Sequence, residues 1–385
     1  MSRPNGAFCT NAISNPNWYR GIPEAGAILD KRINYLDGLR GVAILVVVLF
    51  HAFFAWGKVE PFEQNKLLAG MAAFGWLGVN LFFAISGYVI YMSLIKSKNI
   101  IMFGVARYLR LAPMMLVAAV FLYATSFYVT ERPEGALHLR DFIPSITFFD
   151  PQLVGKLFGL NVKSLDGAFW SLYVEVKFYF VAAALYFFIG DKSLFGLAVL
   201  YIAWFGLGIL VNDFALAGGA LDVVFSFLDY LDVGYYSWFL IGVFAYRYSL
   251  NANASNFLLI ALAGVVSVAT QAWNDLGLLV ASTATAALFV VPMFSELARR
   301  FLACRFLCFL GFISYPLYLV HQNLVTGLAI KLHGYLPGYP GYLYPLPFIV
   351  GVVVFAYFLA SSEPHMKRAL AWFFPAKILG YDVRR

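Results

Sequence analysis

The stretch that decides the fold is Asp37-Gly38-Leu39-Arg40-Gly41-Val42-Ala43-Ile44-Leu45-Val46-Val47-Val48-Leu49-Phe50-His51, where ten uncharged, almost wholly apolar residues separate an arginine from a histidine. At a rise of about 1.5 Å per residue, His51 lies about 16 Å along a helix from Arg40. Eleven residues complete about three turns, so the two side chains share one face. If Arg40 marks a membrane surface, His51 is expected near the middle of a hydrocarbon core about 30 Å thick. An ionisable group at that depth is costly, which makes His51 a candidate functional residue.

The composition of the whole chain is that of a membrane protein. Hydrophobic residues make up 62% of its 385 residues, charged residues only 12%, and the mean hydropathy is +0.77. Soluble proteins carry about 25% charged residues. We therefore predict an all-α, polytopic transmembrane helix bundle.

About ten apolar runs are long enough to cross a bilayer. They lie near 38–56, 72–94, 109–129, 168–189, 194–212, 234–249, 256–272, 276–294, 307–330 and 345–362. An eleventh crossing within 214–232 is an alternative, although its three aspartates argue against a helix that faces lipid. We expect one transmembrane domain over 35–364, between tails at 1–34 and 365–385. The first tail is polar and lacks the apolar core of a cleavable signal peptide.

The distribution of basic residues orients the predicted bundle. With the N-terminus in the cytoplasm, nineteen of the 27 Lys and Arg residues fall on the cytoplasmic side, seven on the opposite side, and Lys177 inside a span. Basic residues concentrate on the cytoplasmic side of membrane proteins, so both termini are expected there. The net charge of +7 is then a topology signal and requires no nucleic-acid partner.

Cysteine usage points to neither disulfides nor a metal centre. Cys9, Cys304 and Cys308 provide no disulfide framework. Cys304 and Cys308 are one helical turn apart near a basic loop, which is a weak basis for a metal pair. We expect no bound metal.

Arg107 and Arg110 form a basic pair at the cytoplasmic start of the third predicted span. A spacing of three residues puts both guanidinium groups on one helical face, where they could bind phosphate oxygens in a forked geometry. The alternative is ordinary anchoring at the cytoplasmic surface, with contacts to phospholipid headgroups.

Two charged residues lie within the fourth predicted span, near its outer end. Glu175 and Lys177 are about 200° apart around a helix, so only one of them is expected to face the bundle interior. Lys177 can extend its long side chain towards an interface, whereas Glu175 cannot reach far. A buried glutamate is either a structural partner for an arginine or an acid–base group.

A second histidine, His321, lies midway along the ninth predicted span, one turn after Tyr318. A single histidine at that depth often forms a hydrogen bond between helices. Two histidines in different spans favour a shared polar cavity. A neutral imidazole can take the proton of a hydroxyl that attacks a thioester, and a nearby carboxylate could orient that imidazole.

Six motifs, in this order from Ile33 to Pro364, resemble the acyltransferase 3 family of integral membrane acyltransferases. They are Tyr35-Leu36-Asp37-Gly38-Leu39-Arg40 with His51; Gly78-Val79-Asn80-Leu81-Phe82-Phe83-Ala84-Ile85-Ser86-Gly87-Tyr88; Arg107-Tyr108-Leu109-Arg110 with Pro113; Trp170-Ser171-Leu172 with Glu175 and Phe178-Tyr179; Gly311 with Ser314-Tyr315, Leu317-Tyr318-Leu319 and His321; and Glu363-Pro364. Each motif alone is weak, but six in register are specific.

The resemblance implies transfer of an acyl group, usually acetyl, from cytoplasmic acyl-coenzyme A to a hydroxyl of an extracytoplasmic or lipid-linked glycan. Acetyl-coenzyme A would be a co-substrate, and no bound cofactor is expected. Bacterial members modify lipopolysaccharide, exopolysaccharide or peptidoglycan, among other acceptors, which implies a location in the bacterial cytoplasmic (inner) membrane.

The resemblance also implies roles for individual residues. His51 would be the catalytic histidine, Arg40 its motif partner, and Glu175 would lie near the reaction. Arg107 and Arg110 would bind acyl-coenzyme A. The residues expected to support the acceptor side are Asp37, Asn80, Ser171, Tyr179, Tyr318 and His321.

Two departures from the family pattern bear on function. Asn80 stands where the family often has Asp, which puts a carboxylate role at that position in doubt. The chain ends soon after Glu363-Pro364, so we expect no appended SGNH hydrolase-like domain. Either this protein completes the transfer alone or a second protein finishes it.

Two other functions use the same residues. A transporter or flippase for a glycan or an acylated lipid could use the buried His and Glu as a proton relay. A structural subunit could use them only as hydrogen bonds between helices. Loss of a thioester separates the enzyme from both.

Overall fold

The computed structural model describes residues 23–59, 61–62, 70, 72–212 and 219–374, without the side chains of residues 23–33 and 212. The first 22 residues and the last eleven, which belong to the predicted tails, lie outside the described residues. Within the described ranges the regular structure is helical and contains no strand, as predicted.

Fifteen α-helices account for most of the described chain. In order they are α1 Pro23–Phe53, α2 Leu77–Lys96, α3 Ile100–Ser126, α4 Phe142–Thr147, α5 Pro151–Phe158, α6 Trp170–Ile189, α7 Ser193–Asn212, α8 Ala220–Tyr230, α9 Tyr236–Leu250, α10 Ala254–Ala272, α11 Leu276–Val290, α12 Glu296–Leu302, α13 Arg305–Val320, α14 Gln322–Tyr335 and α15 Leu346–Ala371.

Seven helical stretches of the described residues are long and apolar enough to cross a membrane, or eight if α12 and α13, which meet at a 62° bend, form one span. Ten were expected. Part of the difference arises because the stretch 167–211 is counted once although it contains two helices, α6 and α7. Helix α9, with 15 residues, is too short by itself, because a span needs about 20.

The stretch 167–211 folds back on itself, so α6 and α7 lie side by side. The chain turns after α6 at Gly190, whose φ of 60° is a backbone conformation that favours glycine. A Cβ on Gly196 of α7 would lie 3.3 Å from Leu185 Cδ1 of α6, a contact that a continuous helix could not make. The two predicted spans 168–189 and 194–212 are therefore separate helices, as expected.

Helices α8 and α9 form one broken path antiparallel to α7. A Cβ on Gly208 of α7 would lie 3.1 Å from Phe225 of α8, whereas Trp204 packs against Gly234, between α8 and α9. Near the other end, the Arg247 guanidinium lies 5.9 Å from the Phe195 ring centre. The region proposed as an eleventh crossing thus supplies the first part of a path that α9 completes.

The segment 130–167, which connects the third and fourth predicted spans, enters the bundle. Phe142 of α4 packs against Tyr123 near the end of α3, with ring centres 5.3 Å apart. Phe148, after α4, lies 6.0 Å from the ring centre of Tyr108, which is fifteen residues earlier in α3. That separation corresponds to about 22 Å along the helix. The segment therefore descends beside α3 and is not a simple surface loop.

Lys177 of α6 joins the tip of this descending segment to the break between α8 and α9. Its ammonium lies 3.2 Å from Asp150 and 2.9 Å from Asp232, and it donates to the carbonyl of Tyr230 at 2.6 Å. Non-helical backbone at membrane depth is tolerated where its polar groups find protein partners. This is why a lysine can occupy the interior here, rather than extending to an interface as expected.

Glycines bring α1 and α13 into backbone contact. A Cβ on Gly41 would lie 2.1 Å from the carbonyl oxygen of Leu307, and one on Gly311 would lie 1.9 Å from that of Asp37. Small residues at helix crossings allow such approach within a membrane. The crossing places the Asp37–Arg40 turn against α13, the helix that ends directly before His321.

Candidate active site

Three arginines and one glutamate form a polar cluster between α1, α3 and α6. Arg40 donates from Nη1 to Asp37 Oδ1 at 2.8 Å, one turn earlier in α1. The charges of Arg110 and Glu175 also act on Arg40. We call Arg40, Arg107, Arg110 and Glu175 the arginine cluster.

Glu175 is held by two hydroxyl groups within the arginine cluster. Ser86 of α2 donates to Glu175 Oε1 at 2.5 Å, and the hydroxyl of Tyr179, one turn later in α6, donates to the same oxygen. The recorded hydrogen bonds of Glu175 thus come from two hydroxyl groups, while its charge also acts on Arg40 and Arg107. Both alternatives from the sequence, a partner for an arginine and an acid–base group, stay predictions. Ser86 belongs to the second motif but is not among the site residues that the sequence predicts.

Arg107 has unused hydrogen-bonding capacity. Its Nε is buried and has no hydrogen-bond partner among the described residues, while its guanidinium lies 5.9 Å from the Phe103 ring centre. Arg110, one turn later, is exposed. Three positive charges against the carboxylates of Asp37 and Glu175 leave the cluster with a net positive charge, which suits an anionic ligand.

His51 and His321 meet in a direct hydrogen bond. His321 Nε2 lies 3.1 Å from His51 Nδ1, and their ring centres are 4.9 Å apart at an interplanar angle of 70°. His321 is 1% exposed, whereas His51 is half-buried. The sequence predicted that these histidines share a polar environment, and the structure brings them together.

The hydrogen-bond partners determine the tautomers of the two neutral rings. His321 Nδ1 lies 2.9 Å from the carbonyl oxygen of Tyr318, which only accepts, so this nitrogen carries the proton. His321 Nε2 must then accept from His51 Nδ1–H, which also lies 3.0 Å from the carbonyl of Val47. The lone pair of His51 Nε2 is left available as a base.

His51 lies near the C-terminal end of α1, two residues before the helix ends at Phe53. Arg40 lies about 16 Å earlier along the same helix. The arginine cluster and the histidine pair are therefore separated along α1. The depth of His51 near the middle of a hydrocarbon core stays a prediction.

Among the described residues, His51 has no hydrogen bond to a carboxylate, although the sequence suggested that one could orient its ring. The partner of its Nδ1 on another helix is His321, and Glu175 is held by Ser86 and Tyr179 instead. Sequence could not distinguish these arrangements, because Glu175 lies on a different helix from both histidines and its depth follows from packing.

Tyr318 and Ser171 connect the histidine pair to the start of α6. The Tyr318 hydroxyl donates to the carbonyl of Ala168 at 2.8 Å and lies 2.6 Å from Ser171 Oγ. Because Tyr318 uses its proton on the carbonyl, Ser171 donates to Tyr318. Both residues are buried, so they hold the packing around His321 without being exposed to solvent.

Asn80 lies outside the contacts that build the site. Its Nδ2 donates to Gln271 Oε1 at 2.8 Å, and Trp238 donates to the same oxygen at 3.0 Å. These bonds join α2, α9 and α10. Asn80 thus has the character of a polar link between helices.

The family profile described as an acyltransferase domain matches residues 33–361. The chain belongs to the acyltransferase 3 family. This confirms the resemblance inferred from its six motifs. Among the residues that the structure describes, no group of three or more His, Cys, Asp or Glu is placed to hold a metal ion.

Two relatives of this acyltransferase carry descriptions of their activity. Peptidoglycan O-acetyltransferase OatA of Listeria monocytogenes is 26% identical over 161 residues, which cover 39% of this chain and 24% of the relative. The O-acetyl transferase of Shigella phage Sf6 is 26% identical over 163 residues, which cover 38% of this chain and 44% of the relative. The matched region thus spans less than half of either relative. No solved structure is significantly similar to the chain.

Proposed function

We propose that this protein is a membrane O-acyltransferase that moves an acetyl group from acetyl-coenzyme A to a hydroxyl of a cell-surface or lipid-linked glycan. The observation that carries the proposal is the 3.1 Å contact between His51 Nδ1 and His321 Nε2, from which we infer that the lone pair on His51 Nε2 is free. A held neutral imidazole is a suitable general base for acyl transfer to a hydroxyl.

The donor would enter at the arginine cluster. Coenzyme A carries several phosphate charges, and Arg107 and Arg110 offer forked donors. One buried nitrogen of Arg107 has no hydrogen-bond partner among the residues described. Arg40 and His51 share one face of α1, about 16 Å apart. The extended pantetheine arm would follow this face and bring the thioester towards His51.

The chemical step would require only the two substrates and His51. As the acceptor oxygen attacks the thioester carbonyl, His51 Nε2 takes its proton, and an ester bond forms. The carbon–sulfur bond then breaks, and the coenzyme A thiolate takes the proton from the imidazolium. His51 would therefore act as a base rather than as an acyl carrier. His321 would stabilise the imidazolium by accepting its Nδ1–H.

The substrate classes rest on the relatives and on the charge distribution. The description of one relative as a peptidoglycan O-acetyltransferase supports a glycan acceptor and an acetyl group. The excess of basic residues on one side supports a bacterial cytoplasmic membrane with both termini inside. The donor would then come from the cytoplasm, and the acceptor would reach the histidine pair from the other side.

The test uses the purified full-length protein in lipid nanodiscs with radiolabelled acetyl-coenzyme A and peptidoglycan fragments or lipid-linked oligosaccharide. We expect label on the glycan and release of free coenzyme A. His51→Ala should abolish both, whereas His365→Ala, an exposed histidine near the end of α15, should leave them unchanged. Transfer by His51→Ala at the wild-type rate would contradict the proposal.

A transporter is the second candidate, because the broken path through α8 and α9 resembles the discontinuous helices of transporters. The same preparation, reconstituted in liposomes, distinguishes it. Flux of a glycan lipid that depends on a proton gradient, without loss of the thioester, would favour transport. Thioester loss that depends on acceptor and on His51 would favour the enzyme.

A further inference from the structure

Asp166 is a buried carboxylate that binds the backbone of two separate segments. It is fully buried, and its Oδ1 accepts from the N–H of Ala168 at 3.0 Å. Its Oδ2 accepts from the N–H of Asn323 at 3.1 Å. Ala168 lies in the turn that leads into α6, and Asn323 lies in the first turn of α14. One side chain thus caps two helical segments that are far apart in sequence.

His321 lies at the break that this carboxylate stabilises. Helix α13 ends at Val320 and α14 begins at Gln322, so His321 is the single residue between them. Neither helix continues through His321. The direction of its ring therefore depends on how the two helix ends are held.

The contacts around the break form a closed circuit through the site. Asp166 binds the N–H of Ala168, and the carbonyl of Ala168 accepts from the Tyr318 hydroxyl at 2.8 Å. The carbonyl of Tyr318 accepts from His321 Nδ1, and two residues after His321 the N–H of Asn323 donates to Asp166. A shift at the carboxylate would move both ends of the segment that carries His321.

Further polar groups hold this carboxylate in place. Arg132 is 6% exposed and donates to the carbonyls of Leu122 and Leu165 at 3.0 and 2.8 Å, the second directly before Asp166. Glu134 accepts from Asn323 Nδ2 at 2.8 Å. The loop residues are therefore packed as a polar core against the first turn of α14.

We propose that Asp166 is a positioning residue that holds the α13–α14 break so that His321 keeps its hydrogen bond to His51. The inference rests on the proposed function for its kinetic consequence but not for its structural one. Displacement of a catalytic group by about 1 Å can cost roughly a hundredfold in rate. Asp166 itself would touch neither the donor nor the acceptor.

Asp166→Asn is the test variant, and Asp141→Asn is its matched control. The amide retains one acceptor oxygen but presents N–H groups to the other backbone donor, so one of the two bonds is lost. Asp141 is equally buried, at 1% exposure, and accepts from the N–H groups of His138 and Lys163 at 2.7 and 3.0 Å. It makes no recorded contact with α13 or α14. Asp166→Ser, which preserves a cap for Ala168 alone, is a second test variant if the amide variant folds poorly.

The first measurement is the rate at which diethyl pyrocarbonate modifies His321 in the full-length protein, followed by mass spectrometry of its peptide. We expect His321 to be protected in the wild type and in Asp141→Asn. In Asp166→Asn or Asp166→Ser we expect modification at least several-fold faster. The second measurement is acetyl transfer, where kcat should fall by about tenfold or more while KM for acetyl-coenzyme A stays within about twofold.

Equal protection of His321 in the wild type and the Asp166 variants would overturn the inference. If His321 were modified as fast in Asp141→Asn as in the Asp166 variants, the inference would also be overturned, because the faster modification would then reflect general destabilisation. The modification assay does not depend on catalysis. If the wild-type protein transfers no acetyl group, the proposed function fails, and His321 protection still decides the role of Asp166.

Discussion

A neutral imidazole acts as a base only through a nitrogen that keeps its lone pair, and for His51 the partner ring decides which nitrogen that is. The carbonyl of Tyr318 fixes the proton on His321 Nδ1, and His321 Nε2 then requires a proton from His51. A histidine takes the orienting place that a carboxylate holds in the serine triad. This arrangement adds no buried negative charge beside the base.

Arg107 should contribute to donor binding rather than to the chemical step. Its buried Nε has no partner in the part of the chain that the structure describes and is available to a phosphate oxygen, and a charged hydrogen bond is worth about 1.5–3 kcal/mol. We expect Arg107→Ala to raise KM for acetyl-coenzyme A by about tenfold or more. Arg107→Lys should recover only part of this, because the ammonium lacks the forked geometry.

The control for Arg107 is Arg300→Ala, which removes an exposed arginine paired with Glu296 at 3.3 Å. Exposed ion pairs contribute little to stability, so this variant should fold normally and KM for acetyl-coenzyme A should not change. An equal rise in KM for Arg107→Ala and Arg300→Ala would show that general surface charge attracts the donor.

Asp166 should make stability depend on pH. Burial, followed by the negative charge of Glu134, raises the pKa of Asp166 from 3.8 to about 7, although two backbone N–H groups and Arg132 oppose the shift. Between these values the folded state binds more protons than the unfolded state, so the free energy of unfolding falls as pH rises from about 4 to about 7. The slope is at most about 1.4 kcal/mol per pH unit.

The measurement is the thermal unfolding midpoint of the protein in detergent between pH 5 and pH 8. The wild-type midpoint should fall towards neutral pH, and Asp166→Asn should flatten this dependence because it removes the titrating group. The same pH dependence in both proteins would assign the effect to other residues.

At the scale of elements, close crossings and broken helices position the site. Helix α1 carries Arg40 and His51 on one face, and its glycine contacts with α13 bring His321 to the end of that face. The turn at Asp37 is therefore both a packing surface and part of the arginine cluster.

Gly311→Ala should destabilise the α1–α13 crossing. Its Cβ would lie 1.9 Å from the carbonyl oxygen of Asp37, and backbone cannot move aside as a flexible side chain could. We expect a loss of about 1–3 kcal/mol in unfolding free energy, and reduced activity as the Asp37–Arg40 turn shifts.

Gly351→Ala is the matched control, because no atom outside its own helix backbone and neighbours lies within 4 Å of a Cβ at that position in α15. Alanine favours a helix over glycine by up to about 1 kcal/mol, so this variant should be neutral or slightly more stable. Comparable losses in both variants, measured by thermal unfolding, would contradict the role assigned to the crossing.

Lys177 should stabilise the break between α8 and α9. Lys177→Met would leave Asp150 and Asp232 without their cation and would remove the donor to the carbonyl of Tyr230. Breaking a buried pair costs about 3–5 kcal/mol, and these partly exposed side chains should cost less, about 1–3 kcal/mol.

The comparison for Lys177 is Lys331→Met, whose ammonium lies 3.8 Å from Glu131 and donates to the carbonyl of Tyr128. That pair is more exposed, so its loss should lower the unfolding midpoint less. A larger effect of Lys331→Met than of Lys177→Met would show that the break does not depend on the interior lysine.

At the scale of the whole molecule, the arginine cluster and the histidine pair are separated along the direction of α1. This separation suits a reaction in which an anionic donor and a glycan approach from opposite sides. For a cytoplasmic donor to reach the arginine cluster, the N-terminus and C-terminus must lie in the cytoplasm, as the distribution of basic residues predicts.

Reporter fusions test this orientation in bacterial cells. Green fluorescent protein fused after Arg385 should fluoresce, because it folds in the cytoplasm. Alkaline phosphatase fused after Ala136, in the segment between α3 and α4, should be active, because it folds outside. A non-fluorescent fusion after Arg385 together with an inactive phosphatase fusion after Ala136 would reverse the orientation and place the arginine cluster on the wrong side for a cytoplasmic donor.

The amino-acid sequence by itself determined the class, the family and the shared face of Arg40 and His51. Composition and helical spacing are local properties, and neighbouring residues in one helix keep their relation in any packing. The six motifs were sufficient to indicate the family that the profile match confirms.

Only the tertiary structure decided which distant residues meet. Glu175 lies where its charge acts on Arg40, and His321 forms a hydrogen bond with His51. Asn80 donates to Gln271, and Asp166 accepts from the backbone of Asn323 in α14. The interruptions of helices by turns also reduced the count of long spans. Hydropathy records how apolar a segment is. It does not record how deep the segment lies, where its helix is interrupted or which helix packs against it, because these follow from packing between segments far apart in the chain.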